Sequence, residues 1–437
     1  MFRSYEEALA WIHSRLRLGM KPGLKRMTWM MEKMDHPERK ITTLHVGGTN
    51  GKGSTVTYLR SILEKGGYKT GTFTSPYLEQ FNERISVNGK PISDEAIVKL
   101  ANVTYPLTVE LEKTELGGPT EFEIITAMAF YYFAYMEKID VAVFEVGLGG
   151  RLDSTNIICP LLAIITNIGL DHTQILGETH REIAFEKAGI IKKEVPIFTA
   201  VKQQEALDVI KKKAAAEKAP LFVLGKDFSI LEHTTLENGE QFTMMTMEQE
   251  QKSYQLQMIG AYQAENAALA AAAAKYLRKN DLFPLREVDI ASGLSAAFWP
   301  GRFEIISHDP SIILDGAHND EGVTALAEEL ENRYHSFTIR IIFAALKDKK
   351  LDKMIARLDK IAASITFTTF DYPRASSAEH LYGLSSSPGK HLSNDWENTV
   401  KEAVSSVSCG EILVITGSLY FISEVRAFLR KTQFIAD

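Results

Sequence analysis

Apolar and polar positions succeed one another along this chain in a pattern that predicts alternating strands and helices. Continuous apolar runs at residues 41–46, 140–146 and 161–168 are typical of strands covered on both faces. A helical pattern at residues 55–65 follows the first run. Strand and helix in alternation predict a parallel sheet with crossover helices.

One stretch departs from this pattern. Residues 221–258 are mostly polar, and Asn238-Gly239 stands there between two alternating runs. An Asn-Gly pair between alternating apolar residues is a strong signal for a hairpin. We therefore expect a small antiparallel region, placed as a hairpin at the edge of the parallel sheet.

A second α/β series begins after Trp299-Pro300-Gly301. Apolar runs predict strands at residues 311–315, 338–346, 364–370 and 411–417, with helices between them at 322–334, 351–362 and 396–407. The predicted fold is α/β in two domains. Residues 1–297 form a domain with a parallel sheet and a small antiparallel region, and residues 298–437 form a Rossmann-like α/β domain.

Composition and charge narrow the class of protein. The chain has 437 residues, of which 45% are hydrophobic and 24% charged, so it can bury a sizeable core and is not intrinsically disordered. A net charge of -7 argues against a nucleic-acid partner. Two cysteines, no N-terminal apolar signal and no apolar run of membrane length lead us to expect a cytoplasmic protein that binds no membrane.

A glycine-rich segment, HVGGTNGKGST at residues 45–55, lies between the first predicted strand and the helix after it. Glycines let backbone amides turn towards a phosphate, Lys52 can reach terminal phosphates, and the helix N-terminus adds positive charge. The spacing departs from the general phosphate-loop pattern, because Gly53 separates Lys52 from Ser54. A glycine-rich turn with an incidental lysine is the alternative, but the flanking strand and helix favour a nucleoside triphosphate site.

Polar side chains that could bind metal follow the next two strands. A bound triphosphate requires a divalent cation, and Mg²⁺ takes oxygen ligands while keeping several waters. Glu145 ends one strand, beside the expected phosphate loop, so its carboxylate is a candidate metal ligand; the alternative is a cap of the following turn. Asp171-His172 follows the next strand, and the chemistry alone fits His172 equally to a structural and a ligating role.

Seven motifs along nearly the whole chain together resemble the folylpolyglutamate synthase family of the Mur ligase superfamily, whose bacterial members are commonly also dihydrofolate synthases. The motifs are GTNGKGS (48–54), TSPYLEQFNERI (74–85), EVGLGGRLDSTN (145–156), ITNIGLDH (165–172), EKAGIIK (186–192), PGRFE (300–304) and LDGAHN (314–319). The first motif indicates only the superfamily, whereas the second and third point to its folate branch.

The resemblance implies an ATP-dependent ligase that adds L-glutamate to folates, and to dihydropteroate, through an acyl-phosphate intermediate. It implies ATP and two Mg²⁺ ions as cofactors, with an N-terminal phosphate-loop ATPase domain and a C-terminal glutamate-ligase domain. Folate or dihydropteroate and L-glutamate are the expected substrates. We expect a monomer.

The same resemblance assigns roles to individual residues. The ATP-binding residues are expected to be Gly48, Thr49, Asn50, Gly51, Lys52, Gly53, Ser54, Asn266, Arg302 and Asp315. The expected metal ligands are Ser75, Glu145 and His172, and the expected catalytic residues are Lys52, Lys187 and His318. The expected contacts on the pterin and metal side are Arg84, Arg151, Asp153 and Asn156.

Three of these expectations carry further detail. Lys187 aligns with a lysine that is carbamylated in the superfamily, and the alternative is a surface helix lysine. His318 is expected one helical turn past Asp315, facing the cleft. Arg374, in the segment DYPRAS, is a candidate contact for an acidic substrate, with a solvated loop arginine as the alternative.

Two other functions are alternatives to a ligase that adds glutamate to folates. A cell-wall Mur ligase would join an amino acid to a UDP-linked muropeptide, but the phosphate loop begins by residue 48, which leaves little room for a domain that binds the UDP sugar. A non-catalytic nucleotide-binding module would need the phosphate loop without the residues for metal and catalysis. Both glutamate additions use the same ATP residues, so the sequence leaves the choice between dihydropteroate and folate open.

Overall fold

In the computed structural model, which describes residues 1–19, 21–432 and 434, an eight-stranded sheet forms the centre of the first part of the chain. Its strands are β1 (Thr43–Gly47), β2 (Thr70–Phe73), β3 (Ile85–Val87), β4 (Lys90–Pro91), β5 (Val141–Glu145), β6 (Leu162–Ile165), β7 (Ile197–Thr199) and β8 (Leu221–Val223). Their order is β4-β3-β2-β5-β1-β6-β7-β8. The six strands β2, β5, β1, β6, β7 and β8 are parallel, and β3 and β4 add an antiparallel edge next to β2.

Helices cover both faces of this sheet, which explains why its strands are continuous apolar runs. Phe144 belongs to the core on one face and Ile165 to the core on the other. The helices of this part are α1 (Tyr5–His13), α2 (Lys25–Lys33), α3 (Lys52–Lys65), α4 (Asp94–Glu112), α5 (Glu121–Tyr131), α6 (Thr173–Leu176), α7 (His180–Lys187), α8 (Gln204–Ala216), α9 (Ala261–Lys279) and α10 (Glu287–Ala296).

The polar region predicted as a hairpin on the edge of the large sheet forms a sheet of its own, so that placement is wrong. Strands β9 (Ser229–Leu236), β10 (Gly239–Met245) and β11 (Gln251–Leu256) pair in the order β11-β10-β9. Only β8 joins the large sheet, because the chain turns after it: the amide of Val223 donates to Asp227 and that of Gly225 to Phe228. The predicted Asn238-Gly239 connection does lie between β9 and β10.

A six-stranded sheet is the centre of the C-terminal part of the chain. Its strands are β12 (Glu304–His308), β13 (Ser311–Leu314), β14 (Thr338–Phe343), β15 (Ser364–Phe367), β16 (Lys390–Leu392) and β17 (Glu411–Thr416), in the order β12-β13-β17-β14-β15-β16. All neighbours are parallel except β12, which pairs antiparallel with β13. The four predicted strands are confirmed, whereas β12 and β16 were not predicted because both are partly polar edge strands.

Helices also cover both faces of the second sheet. Ile341 and Phe343 of β14 lie in one core and Ile342 in the other, as the two-residue repeat of a strand requires. The helices are α11 (Asp320–Arg333), α12 (Leu351–Leu358), α13 (Ala378–Leu384), α14 (Trp396–Ser406) and α15 (Leu419–Lys431). The predicted α/β class, with a parallel sheet, a small antiparallel region and a Rossmann-like second half, is confirmed.

The chain divides into two compact units. The first contains Met1–His233, Gln241–Gln255 and Ala264–Ala297, and the second contains Thr234–Glu240, Leu256–Gln263 and the chain from Phe298 onward. The domain boundary predicted between residues 297 and 298 takes no account of the two short segments that belong to the second unit. Within the described residues, no helix is long and apolar enough to cross a bilayer.

Candidate functional site

The carboxyl ends of four neighbouring parallel strands bring most of the predicted site residues of the first unit to one edge of the sheet. In the order β2-β5-β1-β6, Ser75 follows β2, Glu145 ends β5, the phosphate loop (residues 48–54) follows β1, and His172 follows β6. This edge is where open parallel sheets bind ligands.

The phosphate loop depends on two glycines with positive φ. Gly48 has a φ of 145°, and a Cβ at this position would overlap the hydroxyl oxygen of Thr166. Gly51 has a φ of 79°, and a Cβ there would overlap the amide of Asn266 on α9. Only glycine fits both the backbone conformation and the space, so the loop can close against its neighbours.

Side chains that follow β6 hold the loop in shape. The Asn167 side-chain oxygen accepts the backbone N–H of Thr49 at 3.2 Å and of Asn50 at 2.9 Å. The Thr166 hydroxyl donates to the carbonyl of Asn50 at 2.6 Å. The sequence reasoning missed both residues as site residues, although their position directly after a buried strand was a usable signal.

Helix α3 begins at Lys52, three residues before the predicted start at 55, because Gly51 already turns the backbone at the N-cap. The Lys52 ammonium donates to the carbonyls of Gly48 at 3.2 Å and Thr49 at 3.0 Å. Gly53 and Ser54 lie in the first turn of this helix, both within the predicted ATP-binding segment. The helix N-terminus therefore opens directly at the loop, which favours an anion there.

Lys187 is the last residue of α7 and is only 4% exposed, so the alternative of a surface helix lysine is wrong. Its ammonium donates to the carbonyl of Gly48 at 2.7 Å. Arg151 holds this end of the helix: its backbone N–H donates to the Glu186 carbonyl at 2.7 Å, and its guanidinium pairs with the Glu186 carboxylate at 2.8 Å. The guanidinium also lies 5.4 Å from the ring centre of Phe185.

Glu145 and Ser75 are adjacent, because the Ser75 backbone N–H donates to the Glu145 carboxylate at 3.2 Å. His172 has a left-handed backbone with a φ of 51°, and its ring Nε2 lies 3.8 Å from the Asp171 carboxylate. Among the described residues, no group of three or more His, Cys, Asp and Glu side chains could by itself hold a metal ion. A carboxylate beside a serine does fit Mg²⁺, which takes one or two protein ligands and completes its shell with water and phosphate oxygens.

Of the four residues predicted for the pterin and metal side, Arg84, Asp153 and Asn156 are buried, whereas Arg151 is exposed. The Arg84 guanidinium lies over the rings of Tyr77 and Phe81, at 5.2 and 5.6 Å from their centres, and 3.9 Å from Glu121. The Asn156 side chain donates to the backbone carbonyls of Arg151 at 3.1 Å and Gly189 at 3.0 Å.

Asp153 is also turned inward. Its carboxylate accepts the backbone N–H of Leu148 at 2.8 Å and of Thr155 at 3.0 Å. Burial raises the pKa of Asp153, and these hydrogen bonds oppose the increase. Asp153 therefore shapes the loop that follows Glu145 by accepting hydrogen bonds from its backbone.

The second unit carries the remaining candidates. The Asp315 carboxylate accepts the backbone N–H of Phe303 and of Ala317, both at 2.8 Å. Burial raises the pKa of Asp315, and the positive charge of Arg302 opposes that increase. His318 does not lie one helical turn past Asp315: both are in the loop between β13 and α11, and the His318 Nδ1 lies 2.9 Å from the Gly316 carbonyl.

Arg374 is partly exposed, with 45% of its side chain accessible. Its guanidinium lies 3.4 Å from the Asp348 carboxylate and 5.7 Å from the ring centre of Tyr372. Tyr372 in turn stacks on Tyr420, with ring centres 4.4 Å apart. Asp348 and Tyr372 thus hold the Arg374 guanidinium in place, and part of its surface is available to an anion.

The first unit therefore offers a phosphate cradle, two cationic side chains and an adjacent oxygen-rich pair at one sheet edge. The family model of the Mur ligase middle domain matches residues 46–274, and that of the Mur ligase glutamate ligase domain matches residues 301–419.

Individual relatives agree with these matches. The dihydrofolate synthase/folylpolyglutamate synthase of Bacillus subtilis is 50% identical over 430 residues, which cover 98% of this chain and 100% of the relative. The crystal structure of folylpolyglutamate synthase from Thermotoga maritima matches with a TM-score of 0.84 and 34% identity over 98% of this chain and 97% of that one. An FPGS–AMPPCP–folate complex matches with a TM-score of 0.85 and 34% identity over 98% of this chain and all of that one. The chain belongs to the folylpolyglutamate and dihydrofolate synthase family of the Mur ligases.

Proposed function

We propose that this protein adds L-glutamate to folates and to dihydropteroate, with ATP as the activating substrate. It is an ATP-dependent ligase of the Mur family, and its Bacillus subtilis relative carries both synthase names. The observation that carries the proposal is the placement of the phosphate loop beside the Glu145–Ser75 pair at one edge of the sheet. A non-catalytic nucleotide-binding module would not require the Glu145–Ser75 pair.

The nucleotide would be bound by the phosphate loop, with Asn266 close to Gly51. In this arrangement Lys52 would exchange its loop carbonyls for phosphate oxygens, since an ammonium is a mobile point charge with three donors. The relative solved with AMPPCP and folate supports binding of both ligands by one chain of this family. Arg302 and Asp315 are proposed as further nucleotide contacts from the second unit.

Glu145, Ser75 and His172 are the residues we propose for two Mg²⁺ ions. When bound, Mg²⁺ would offset the negative charge of the phosphates and of the attacking carboxylate. Lys187 is proposed to be carbamylated: its neutral amine would attack CO₂, form a nitrogen–carbon bond and release a proton. The resulting anion would be an oxygen ligand in place of the ammonium that now contacts Gly48.

The reaction forms an amide in two steps. The acceptor carboxylate attacks the γ-phosphorus of ATP and the bond from that phosphorus to the bridging β-phosphate oxygen breaks, so that an acyl-phosphate forms and ADP leaves. The α-amine of glutamate then attacks the acyl carbon, and inorganic phosphate leaves while the amine loses a proton. Lys52 and the inward-facing amides of the phosphate loop would stabilise the negative charge that builds up in the first step.

The two substrates would use different parts of the chain. Arg84, Arg151, Asp153 and Asn156 line or shape the loops proposed for the pterin and metal side. Arg374 is proposed as a contact for a glutamate carboxylate, and His318 for positioning the acyl-phosphate or the amine.

We also propose that the domain boundary lies between residues 297 and 298 and that the protein is a monomer.

The proposal is tested by glutamate-dependent release of ADP from ATP in the presence of Mg²⁺ and tetrahydrofolate. We expect the wild-type protein to turn over and a Glu145→Gln variant, which keeps the size of the side chain but loses its charge, to lose at least about 100-fold in turnover. A wild-type protein that binds AMPPCP without glutamate-dependent turnover would favour the nucleotide-binding module, and full activity of Glu145→Gln would contradict the proposed role of Glu145 as a metal ligand. Turnover of a UDP-linked muropeptide in place of folate would favour the cell-wall ligase.

A further inference from the structure

Three buried side chains form a hydrogen-bonded series between strand β1 and the loop that follows β5. The ring Nε2 of His45 lies 2.9 Å from the hydroxyl of Thr155. That hydroxyl lies 2.6 Å from the carboxylate of Asp153. His45 and Thr155 are fully buried, and Asp153 is 6% exposed. The roles proposed above use neither His45 nor Thr155.

The direction of the protons follows from the partners. The Asp153 carboxylate already accepts two backbone N–H groups, so it accepts the Thr155 hydroxyl proton as well. The Thr155 oxygen is then an acceptor, and His45 must carry its proton on Nε2. Burial, and after it the charge of Lys192, lowers the pKa of His45 to about 3, so the ring is neutral throughout the working pH range.

The two ends of the series lie next to the two halves of the nucleotide site. His45 is on the strand that leads into the phosphate loop, and in the parallel register it pairs with Phe144, the neighbour of Glu145. At the other end, Asp153 accepts the backbone N–H of Leu148 at 2.8 Å, which is three residues beyond Glu145. The series therefore fastens the turn after Glu145 to the strand before the phosphate loop.

We propose that His45 and Thr155 are positioning residues, which set the Glu145 carboxylate relative to the phosphate loop and so support Mg²⁺-dependent binding of the nucleotide. The inference rests on the proposed function of Glu145 as a metal ligand. Neither residue touches substrate or metal; both act through Asp153 and the backbone of the turn. Groups that hydrogen-bond directly to metal ligands typically change metal affinity or activity about 10- to 100-fold when they are lost, and because His45 and Thr155 act one step further out we expect an effect of about tenfold.

Thr155 offers a matched pair of substitutions. Thr155→Val keeps the shape of the side chain and removes the hydroxyl, whereas Thr155→Ser keeps the hydroxyl. Thr108→Val is the control for hydroxyl removal in the core, because Thr108 is also fully buried and its hydroxyl donates to the Thr104 carbonyl at 3.0 Å, within α4.

The measurement is the affinity for AMPPCP by calorimetry, once with Mg²⁺ and once with EDTA, together with the Mg²⁺ concentration at half-maximal turnover. We expect Thr155→Val to lose about tenfold or more of the affinity with Mg²⁺ and little of the affinity in EDTA. Its half-maximal Mg²⁺ concentration rises by a similar factor. Thr155→Ser and Thr108→Val stay within about twofold of the wild type in both measurements.

His45 provides a second pair in case Thr155→Val melts below the assay temperature. Glutamine places an amide nitrogen the same number of bonds from Cβ as the histidine Nε2, so His45→Gln keeps the donor to Thr155, and His45→Leu removes it. We expect His45→Gln to resemble the wild type in Mg²⁺ dependence and His45→Leu to resemble Thr155→Val.

The outcomes separate this inference from the proposed function. Equal Mg²⁺ dependence in Thr155→Val, Thr155→Ser and the wild type overturns the positioning role and leaves the proposed function intact. A wild-type protein whose affinity for AMPPCP is the same with Mg²⁺ and with EDTA overturns both. A loss of affinity in EDTA as large as the loss with Mg²⁺ also overturns the positioning role, because the effect would then lie in the phosphate loop itself.

Discussion

The Lys187 ammonium donates a hydrogen bond of 2.7 Å to the carbonyl oxygen of Gly48, although the two residues are 139 positions apart in the chain. The end of helix α7 is thus fastened directly to the first glycine of the phosphate loop. Arg151 supports the same end through Glu186, so the loop after β5 also contributes to the placement of Lys187. A modification of the Lys187 amine would therefore change the contact between Lys187 and the phosphate loop.

Substitution of Lys187 separates its charge from its chemistry. Lys187→Arg keeps a cation that can reach the Gly48 carbonyl but cannot form the proposed carbamate, and Lys187→Met removes both properties. We expect both variants to lose about 10- to 100-fold or more of the glutamate-dependent ADP release. Carbon-13 NMR of protein equilibrated with labelled bicarbonate should show a carbamate signal that is absent from both variants. Near-wild-type turnover of Lys187→Arg would contradict carbamylation.

Gly48 is predicted to be intolerant of a side chain. Alanine would have to adopt a φ of 145° and its Cβ would overlap the Thr166 hydroxyl, so the loop must move. Because strain of this kind costs about 1–3 kcal/mol, we expect Gly48→Ala to weaken AMPPCP binding by about tenfold or more.

Gly67 is the matched control for Gly48, since it also has a positive φ, of 88°, but no atom lies within 4 Å of the added Cβ. We expect Gly67→Ala to lower stability slightly and to leave nucleotide affinity unchanged. Equal affinity of the two variants for AMPPCP, measured by calorimetry, would show that the crowding at Gly48 is not what shapes the loop.

Much of the site could be predicted from the sequence because continuous apolar runs show where the parallel strands end. Glu145 ends a continuous apolar run, and such runs predict parallel strands whose carboxyl ends meet, as the contact of Glu145 with Ser75 bears out geometrically. The position of Asn167 after a buried strand made it a candidate, but neither its role in holding the phosphate loop nor that of Thr155 could be predicted in this way. Whether a polar side chain turns inward to hold a loop depends on tertiary partners more than 100 positions away, which local pattern does not contain.

The errors have equally local causes. Residues 221–258 show a hairpin signal, but the signal says nothing about which sheet receives the hairpin, and a turn at Asp227 directs it away from the large sheet. The family resemblance placed His318 one helical turn past Asp315, although Asp315, Gly316 and Asn319 are residue types that favour turns and loops. The backbone there continues as a loop in which Asp315 accepts the Ala317 N–H, and α11 begins only at Asp320.

A buried ion-pair cluster in the second unit is predicted to carry much of that unit's local stability. Arg333 pairs with Glu240 and, at 3.0 Å, with Glu329, and these three side chains are 7% exposed or less. The two carboxylates also accept the backbone N–H of Gly260 at 2.7 Å and of Ala261 at 2.8 Å. Arg333→Met removes the guanidinium that pairs with both buried carboxylates, which we expect to cost about 3–5 kcal/mol.

Hydrogen exchange of the α11 amides in the full chain measures this loss of stability. Arg357→Met is the control, because Arg357 pairs at 2.9 Å with Glu331, whose side chain is 49% exposed, and we expect it to cost at most about 1 kcal/mol. Similar loss of protection in the two variants would contradict a special contribution of the buried cluster.

Glu424 on α15 is predicted to make stability depend on pH. Burial, and after it the charges of Asp371 and Glu397, raises the pKa of Glu424 from 4.5 to about 7. The folded state therefore holds this proton more tightly than the unfolded state does. As the pH rises from 4.5 to 7, ionisation of Glu424 progressively destabilises the fold, and above about 7 the penalty is complete.

Glu424→Gln removes this penalty. We expect its melting temperature to exceed that of the wild type at pH 8 by roughly 2–4 °C, since partial exposure of the side chain reduces the effect to about 1 kcal/mol. The difference should vanish towards pH 4.5. Glu402→Gln, at an exposed position of α14, should show no such trend. A pH-independent difference between Glu424→Gln and the wild type would contradict the assignment.

Addition of glutamate to both folate and dihydropteroate is tested most directly by glutamate-dependent ADP release from the purified protein with Mg²⁺. Dihydropteroate and tetrahydrofolate are offered separately, and each product is identified by its added glutamate mass. We predict turnover with both acceptors. Turnover with tetrahydrofolate alone would restrict the protein to polyglutamate synthesis, and turnover with neither, in a protein that binds AMPPCP, would contradict the proposed function.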